Sequence, residues 1–212
     1  MKANEGDTII ELLDAIALPD RDTVDRLHAR LVQEAERDEL LDVSYRTIDS
    51  PIGRLLLAAT THGLVRVAFD VEGLDAVLVQ LATTISPRIL RGPRRLDSAA
   101  TQLDEYFAGR RRRFELPLDL QLSHGFRRTV LGHLRDIDYG STASYGAIAI
   151  ASGSPSAARA VGSACATNPL PVVVPCHRVV RSDGSIGHYL GGTETKRALL
   201  AMESASRTPA GC

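Results

Sequence analysis

Residues 144–180 read SYGAIAIASGSPSAARAVGSACATNPLPVVVPCHRVV, and this stretch decides how the second half of the chain folds. Ser144 stands before Tyr145-Gly146-Ala147-Ile148-Ala149, the opening of a short helix that Gly153 stops. Ser154-Pro155 then offers an N-cap and an N1 proline, which predicts a second helix over about 156–167. That helix consists of small residues and one charged side chain, Arg159. Two short helices joined by a glycine-bearing turn form a helix-turn-helix pattern. Its small-residue helix has two readings: it approaches something bulky with Arg159 projecting there, or it is a tightly packed core helix. Asn168-Pro169-Leu170-Pro171 is a hard stop, and Val172-Val173-Val174 leads into Pro175-Cys176-His177-Arg178-Val179-Val180.

A cysteine inside an apolar run is ordinarily a small core hydrophobe. The company of Cys176 points to chemistry instead. His177 adjoins it, a loop with Gly184, Gly187, Tyr189, Gly191 and Gly192 follows, and Glu203 lies on the last helix. A thiol becomes a good nucleophile when a base, itself oriented by a carboxylate, takes its proton. Sequence neighbours seldom have the geometry for direct contact, so Cys176 and His177 are expected to act through a water. Cys165, Cys176 and Cys212 form no C-x-x-C pair, and the six histidines have no i, i+4 pair, so no metal is expected.

Upstream, Phe126, Val130, Leu131, Leu134 and Ile137 mark one helical face, closed by Asp138-Tyr139-Gly140. Further back, strands at 45–48, 55–59 and 64–69 are separated by Ser50-Pro51-Ile52-Gly53 and Thr61-His62-Gly63, which predicts a small antiparallel meander. A helix over 73–83, a polar proline-bearing connection over 84–96 and a helix carrying Leu103, Tyr106 and Phe107 complete this half. The run Arg110–Arg113 is better explained as a solvated turn after that helix than as a phosphate clamp.

The chain's 212 residues, 44% hydrophobic and 24% charged, exclude a disordered protein, and no apolar run approaches a membrane span. Its formal net charge of −1 conceals two opposite parts. Residues 1–43 carry five basic and twelve acidic side chains, a net of −7, whereas the rest carries 20 basic and 14 acidic, a net of +6. All the basic residues except Lys2 and Lys196 are arginines, which suits phosphate recognition but also follows from a GC-rich genome. In the acidic head, Ile9, Ile10, Leu12, Leu13 and Ile16, then Val24, Leu27, Leu31, Ala35 and Leu40, predict a helical pair. It either packs on the body or a partner, or is a solvated appendage. The start, MKANEGDTII, lacks an apolar signal core, so a cytoplasmic location is expected.

Pro175-Cys176-His177-Arg178-Val179 resembles the signature of the O6-alkylguanine-DNA alkyltransferases. The likeness runs from about Tyr45 to Glu203 and is densest over 139–203. Ser144-Tyr145-Gly146, Ala157-Ala158-Arg159-Ala160-Val161-Gly162, Asn168-Pro169, Gly191-Gly192, Lys196 and Leu199-Leu200 fall in the family's order. The resemblance implies an α+β fold with an acidic helical extension (1–43), a small antiparallel-sheet α/β domain (44–120), a winged-helix-like DNA-binding and active-site domain (121–206) and a tail (207–212).

The implied function is direct repair of DNA by a protein that acts once and needs no cofactor. Cys176 would accept the alkyl group from O6-alkylguanine, and from O4-alkylthymine, in duplex DNA. His177 and Glu203 would form the deprotonating relay, while Tyr145 would donate toward guanine N3. The helix-turn-helix of a monomer would enter the minor groove through Ser144, Ala158, Arg159 and Gly162, with Arg159 filling the space of the flipped nucleotide. Asn168 would tie the recognition helix to the active-site turn, and the Cys176 and Val179 carbonyls would read the exocyclic amine. Tyr189, Leu190, Lys196 and Cys165 would complete the pocket. The extension has no counterpart in minimal members and is a candidate surface for a protein partner.

Three positions depart from the family's pattern. Leu190 replaces a small residue after the tyrosine, Leu131 stands where tryptophan is usual, and Asp138 replaces the proline of the turn. A lesion-binding relative without transfer activity, a helix-turn-helix regulator and a cysteine hydrolase are the alternatives. Such lesion binders replace the nucleophile, so Cys176 favours chemistry.

Overall fold

The computed structural model describes residues 20–205, which fall into two compact units, one ending at Leu40 and one starting at Leu41. The apolar stripe from Ile9 to Ile16 and the tail from 206 onward lie outside the described residues. In the first unit, helix α1 (Arg21–Arg37) is capped by Asp20, whose carboxylate accepts from the Thr23 amide at 2.6 Å. Arg30 and Glu34 pair one turn apart, and Val24, Leu27 and Leu31 are exposed.

The second unit opens with a sheet in the order β3-β2-β1-β4, formed by β1 (Val43–Ile48), β2 (Leu55–Thr60), β3 (Gly63–Phe69) and β4 (Ile89–Arg91). β1 therefore starts at Val43, inside the segment read as the extension. The three-stranded antiparallel meander is present, and β4 adds a strand parallel to β1 within what the sequence suggested was a polar connection. Three residues flanked by Pro87 and Gly92 are too few to show a period.

β2 is the central strand, and its unbroken apolar run reflects burial on both faces. Leu56 and Ala58 face Val77 and Leu81 of α2 (Leu74–Thr84). Leu55, Leu57 and Ala59 face the main core, shared with Leu103 and Tyr106 of α3 (Asp97–Phe107) and with the C-terminal helices. The four arginines after α3 are all engaged at the surface. Arg110 pairs with Asp104, Arg111 with Glu105 and Arg113 with Asp138, while Arg112 lies over the Tyr139 ring.

The C-terminal half packs α4 (Gly125–Leu134), α5 (Tyr145–Ala151) and α6 (Ala158–Ala166) together, and α7 (Thr193–Ala205) closes the chain. Leu131 is fully buried, so it fills core space where the family's pattern has an aromatic ring. Ser144 caps α5 by accepting from the Ala147 amide. Ser154-Pro155 does not start α6 as expected. Residues 154–157 close a separate hydrogen-bonded turn, from the Ala157 amide to the Ser154 carbonyl, and the helix starts at Ala158 without a side-chain cap.

The sheet is bound to the second half through Pro169, whose carbonyl accepts from the Val67 amide at 2.8 Å and from Arg66 Nη1 at 3.3 Å. Arg66 is buried and also pairs with Glu72, which itself caps the Phe69 amide. Replacing Arg66 with Met leaves the Glu72 carboxylate largely buried and unmatched. Stability is expected to fall by about 3 kcal/mol, read as a lower urea midpoint at unchanged slope.

Candidate active site

The site is built on a tight turn. After Asn168 the chain runs through three buried prolines and three buried valines, and Val172 sits at φ 72°, a conformation that a β-branched residue adopts only under strain. The Val174 amide closes back on the Leu170 carbonyl, and a single 3-10 turn, Cys176–Arg178, follows. The next two residues, β6 (Val179–Val180), pair in parallel with β5 (Ala143–Ser144). This short ladder places the first residue of α5, Tyr145, beside the cysteine turn.

Asn168 holds the turn together. Its side-chain carbonyl accepts from the Leu170 amide, and its Nδ2 donates to the Val174 carbonyl at 2.9 Å and to Cys176 Sγ at 3.1 Å. Cys176 is fully buried, which pushes its thiol up to about 11, against the pull of the Asn168 hydrogen bond and the Lys196 charge. Lys196 is itself buried and donates to the Val179 carbonyl at 2.5 Å. Burial lowers the Lys196 ammonium from its ordinary value.

Glu203 is the second anchor. α7 turns Lys196, Leu199 and Glu203 inward on one face, at spacings of three and four. Glu203 has no exposed surface and accepts from His177 Nε2 at 2.9 Å, Tyr106 Oη at 2.6 Å and the Gly140 amide at 3.0 Å. Arg178 adds a fork, with Nε and Nη2 both at 2.9 Å from the carboxylate, while its Nη1 donates to the Ile137 carbonyl. Burial alone would raise the Glu203 carboxyl, but the hydrogen bonds from His177, Arg178 and Tyr106 outweigh it and hold it far below the carboxylate range. Burial likewise keeps His177 neutral, against the attraction of Glu203.

A carboxylate can only accept, so His177 carries its proton on Nε2 and offers Nδ1 as the basic nitrogen. Nδ1 is buried and has no protein partner among the described residues. The site thus combines a buried thiol, a neutral imidazole with its basic nitrogen open, and an ionised carboxylate orienting that imidazole.

The other expected site residues divide into two groups. Tyr145 is half-buried, and burial together with Cys165 and Cys176 raises its phenol, so it is a neutral donor. The Gly187 backbone comes so near its hydroxyl that a Cβ there would stand 2.5 Å away, and Gly162 packs beside the same ring. Tyr189 is buried between Phe69 and His177, and Cys165 is buried on α6, where desolvation pushes its thiol up. Leu190 lines a cavity of about 530 Å³ with Arg66, Thr167, Asn168 and Pro169, so it borders the cysteine turn only through Asn168. Arg159 is apart from this cluster, exposed on α6 beside the half-buried Ala158, with its side chain paired to none of the described residues. Asp138 is tied to Arg113.

Sequence reasoning gave no role to Arg178 or Tyr106. Arg178 lies within the quoted signature, but only the fold shows its partner. Tyr106 belonged to an apolar helix face, where its hydroxyl carried no signal. Among the described residues no group of His, Cys, Asp or Glu could hold a metal, and no helix is long and apolar enough to cross a membrane.

Two family models match the chain: the 6-O-methylguanine DNA methyltransferase ribonuclease-like domain over residues 43–120 and the DNA-binding domain of the same description over 125–205. The chain is 43% identical over 167 residues to a methylated-DNA–protein-cysteine methyltransferase of Mycolicibacterium paratuberculosis, spanning 76% of this chain and 92% of the relative. A mouse protein of the same name is 37% identical, over 78% of this chain and 83% of its own. Among solved structures, Mycobacterium tuberculosis OGT in complex with DNA aligns with a TM-score of 0.67 at 40% identity, covering 79% of this chain and 96% of that one.

Replacing Glu203 with Gln leaves Arg178 as an unmatched buried cation. Unfolding free energy at pH 7 is expected to fall by about 3–5 kcal/mol. Because the Glu203 carboxyl is depressed in the folded state, its stabilisation is complete above its ordinary value of 4.5 and is lost as pH falls below it. The gap between wild type and Glu203→Gln should therefore narrow toward pH 3 in urea titrations.

Proposed function

Because the chain belongs to the 6-O-methylguanine DNA methyltransferase family, and is a methylated-DNA–protein-cysteine methyltransferase that repairs DNA by direct reversal, we propose that Cys176 is its alkyl acceptor. The observation that carries this reading is the turn itself. Asn168 holds the sulfur, and Glu203 fixes the adjacent imidazole with its basic nitrogen open.

The thiol proton passes through a water to His177 Nδ1. The thiolate then attacks the O6-alkyl carbon in one displacement. The S–C bond forms as the C–O6 bond breaks, and guanine leaves with the electron pair and takes up a proton. Tyr145, a neutral donor, faces N3 and offsets charge on the leaving base. Cys176 and Val179 carbonyls meet the exocyclic amine. A thioether has no low-energy route back to the thiol, so each molecule acts once. O4-alkylthymine presents the same kind of carbon and falls within reach of this chemistry.

DNA is the partner, supported by the family's DNA-binding domain and by the M. tuberculosis relative solved with DNA. We place α6 in the minor groove: its small residues admit close backbone approach, and Arg159 is free to occupy the gap left by a flipped nucleotide. The protein acts as a monomer in the cytoplasm, where its DNA substrate lies. The acidic head tempers binding of the positive body to phosphate and is the surface open to a protein partner.

Incubation with a duplex containing O6-methylguanine tests the acceptor directly. One methyl group is expected on the tryptic peptide holding Cys176 and none in Cys176→Ser; binding without modification, or methyl on Cys165, would overturn the assignment. Arg159→Ala is expected to slow duplex repair by about 10- to 100-fold, the unstacking energy of one step, while free O6-benzylguanine reacts at nearly the wild-type rate. Equal losses on both would remove the intercalating role. Deleting residues 1–40 should strengthen duplex binding and steepen its salt dependence; unchanged affinity and slope would remove the tempering role.

A further inference from the structure

We propose that Tyr106, supplied by the ribonuclease-like half of the chain, is a positioning residue whose hydroxyl fixes Glu203 and, through that carboxylate, sets its hold on His177. The inference rests on reading Cys176, His177 and Glu203 as the transfer site.

Tyr106 lies in the last turn of α3 and has no exposed surface. Its ring is held by Phe107 and Phe114, each with its centroid 5.3 Å away, and by Tyr139 at 6.0 Å. The hydroxyl meets Glu203 Oε1 at 2.6 Å and lies 3.4 Å from His177 Nε2. It has a single hydrogen, and an ionised carboxylate at that distance claims it. The phenol oxygen therefore turns a lone pair toward His177. Both oxygens near Nε2, one from the carboxylate and one from the phenol, are then acceptors. A bare Nε2 would face two lone pairs, so the ring keeps its hydrogen there and presents Nδ1 as the base.

The hydroxyl also sets how strongly the carboxylate attracts that ring. Oε1 is shared among Tyr106, His177 and Arg178, and Oε2 between Gly140 and Arg178. The other titratable groups acting on this cluster are Tyr139, Tyr189, Lys196, Cys176 and Cys165. Tyr106 stays protonated throughout, because burial first and the Glu203 charge second raise its phenol far above its ordinary value. Withdrawing its hydrogen bond leaves more negative charge on Oε1 facing His177. That favours the imidazolium, so the histidine ceases to be a base at a higher pH.

Tyr106→Phe keeps the ring and removes the hydroxyl. Single-turnover methyl transfer from an O6-methylguanine duplex is measured from pH 5 to 9 for wild type, Tyr106→Phe and Phe114→Leu. The last loosens packing on the same ring and leaves the hydroxyl in place. The low-pH limb of Tyr106→Phe is expected to move up by about one pH unit, with the plateau rate reduced several-fold, while the limb of Phe114→Leu stays with wild type. Nitrogen-15 shifts of the His177 ring should report Nε2–H at neutral pH in both proteins, with the imidazolium appearing at a higher pH in Tyr106→Phe than in wild type. A Tyr106→Phe limb at the wild-type position, with a wild-type ring titration, would overturn the assignment even if the variant melts earlier. A wild-type protein that leaves Cys176 unmethylated would remove the underlying transfer reading instead, and the positioning role with it.

Discussion

A carboxylate with no exposed surface is tolerated only when donors surround it, and the donors of Glu203 come from three separate segments of the active-site unit. Tyr106 belongs to α3, Gly140 to the loop before the helix-turn-helix, and His177 and Arg178 to the cysteine turn. Glu203 itself lies near the end of α7. Meeting one buried charge thus fixes the positions of four segments that are far apart in sequence. His177 is one of the donors, so the network that holds the architecture also selects its tautomer. Replacing this cluster with apolar side chains would conserve packing but leave the imidazole unoriented.

A buried thiol proposed as a nucleophile faces opposing demands. Burial suits displacement at carbon because water is excluded, yet it disfavours the thiolate. The cysteine turn meets this with three modest groups rather than one strong cation beside the sulfur: an amide donor from Asn168, the Lys196 charge and the backbone amide of Cys176. None makes the thiolate the resting form. Burial outweighs all three, so the thiol is favoured over the thiolate and is shielded from solvent.

Much of this was legible in the residues. The meander was readable because its strands are short, apolar and separated by turn residues, and β2 because a strand buried on both faces loses its alternation. The helix-turn-helix and the cysteine turn were readable from Ser144, Gly153, the prolines and the Pro-Cys-His-Arg run. β4 was hidden because three residues carry no period, and α6 begins late because Ser154-Pro155 closes a turn of its own. The links to Glu203 were hidden for another reason. Tyr106 and Arg178 acquire their roles from contacts across 97 and 25 residues, and no local pattern marks a phenol or guanidinium as the partner of a distant acid. The strain at Val172 was equally invisible, since valine gives no local sign of a left-handed backbone.

The span between Tyr106 and Glu203 also orders events during synthesis. The sheet and α3 leave the ribosome well before the acid that Tyr106 must meet, and the cysteine turn follows with Arg178 still unmatched. A nascent chain that carries its sheet, its helix-turn-helix and its thiol therefore still lacks the acid that orients the His177 ring. That network closes only when the end of α7 emerges and brings Glu203 inward.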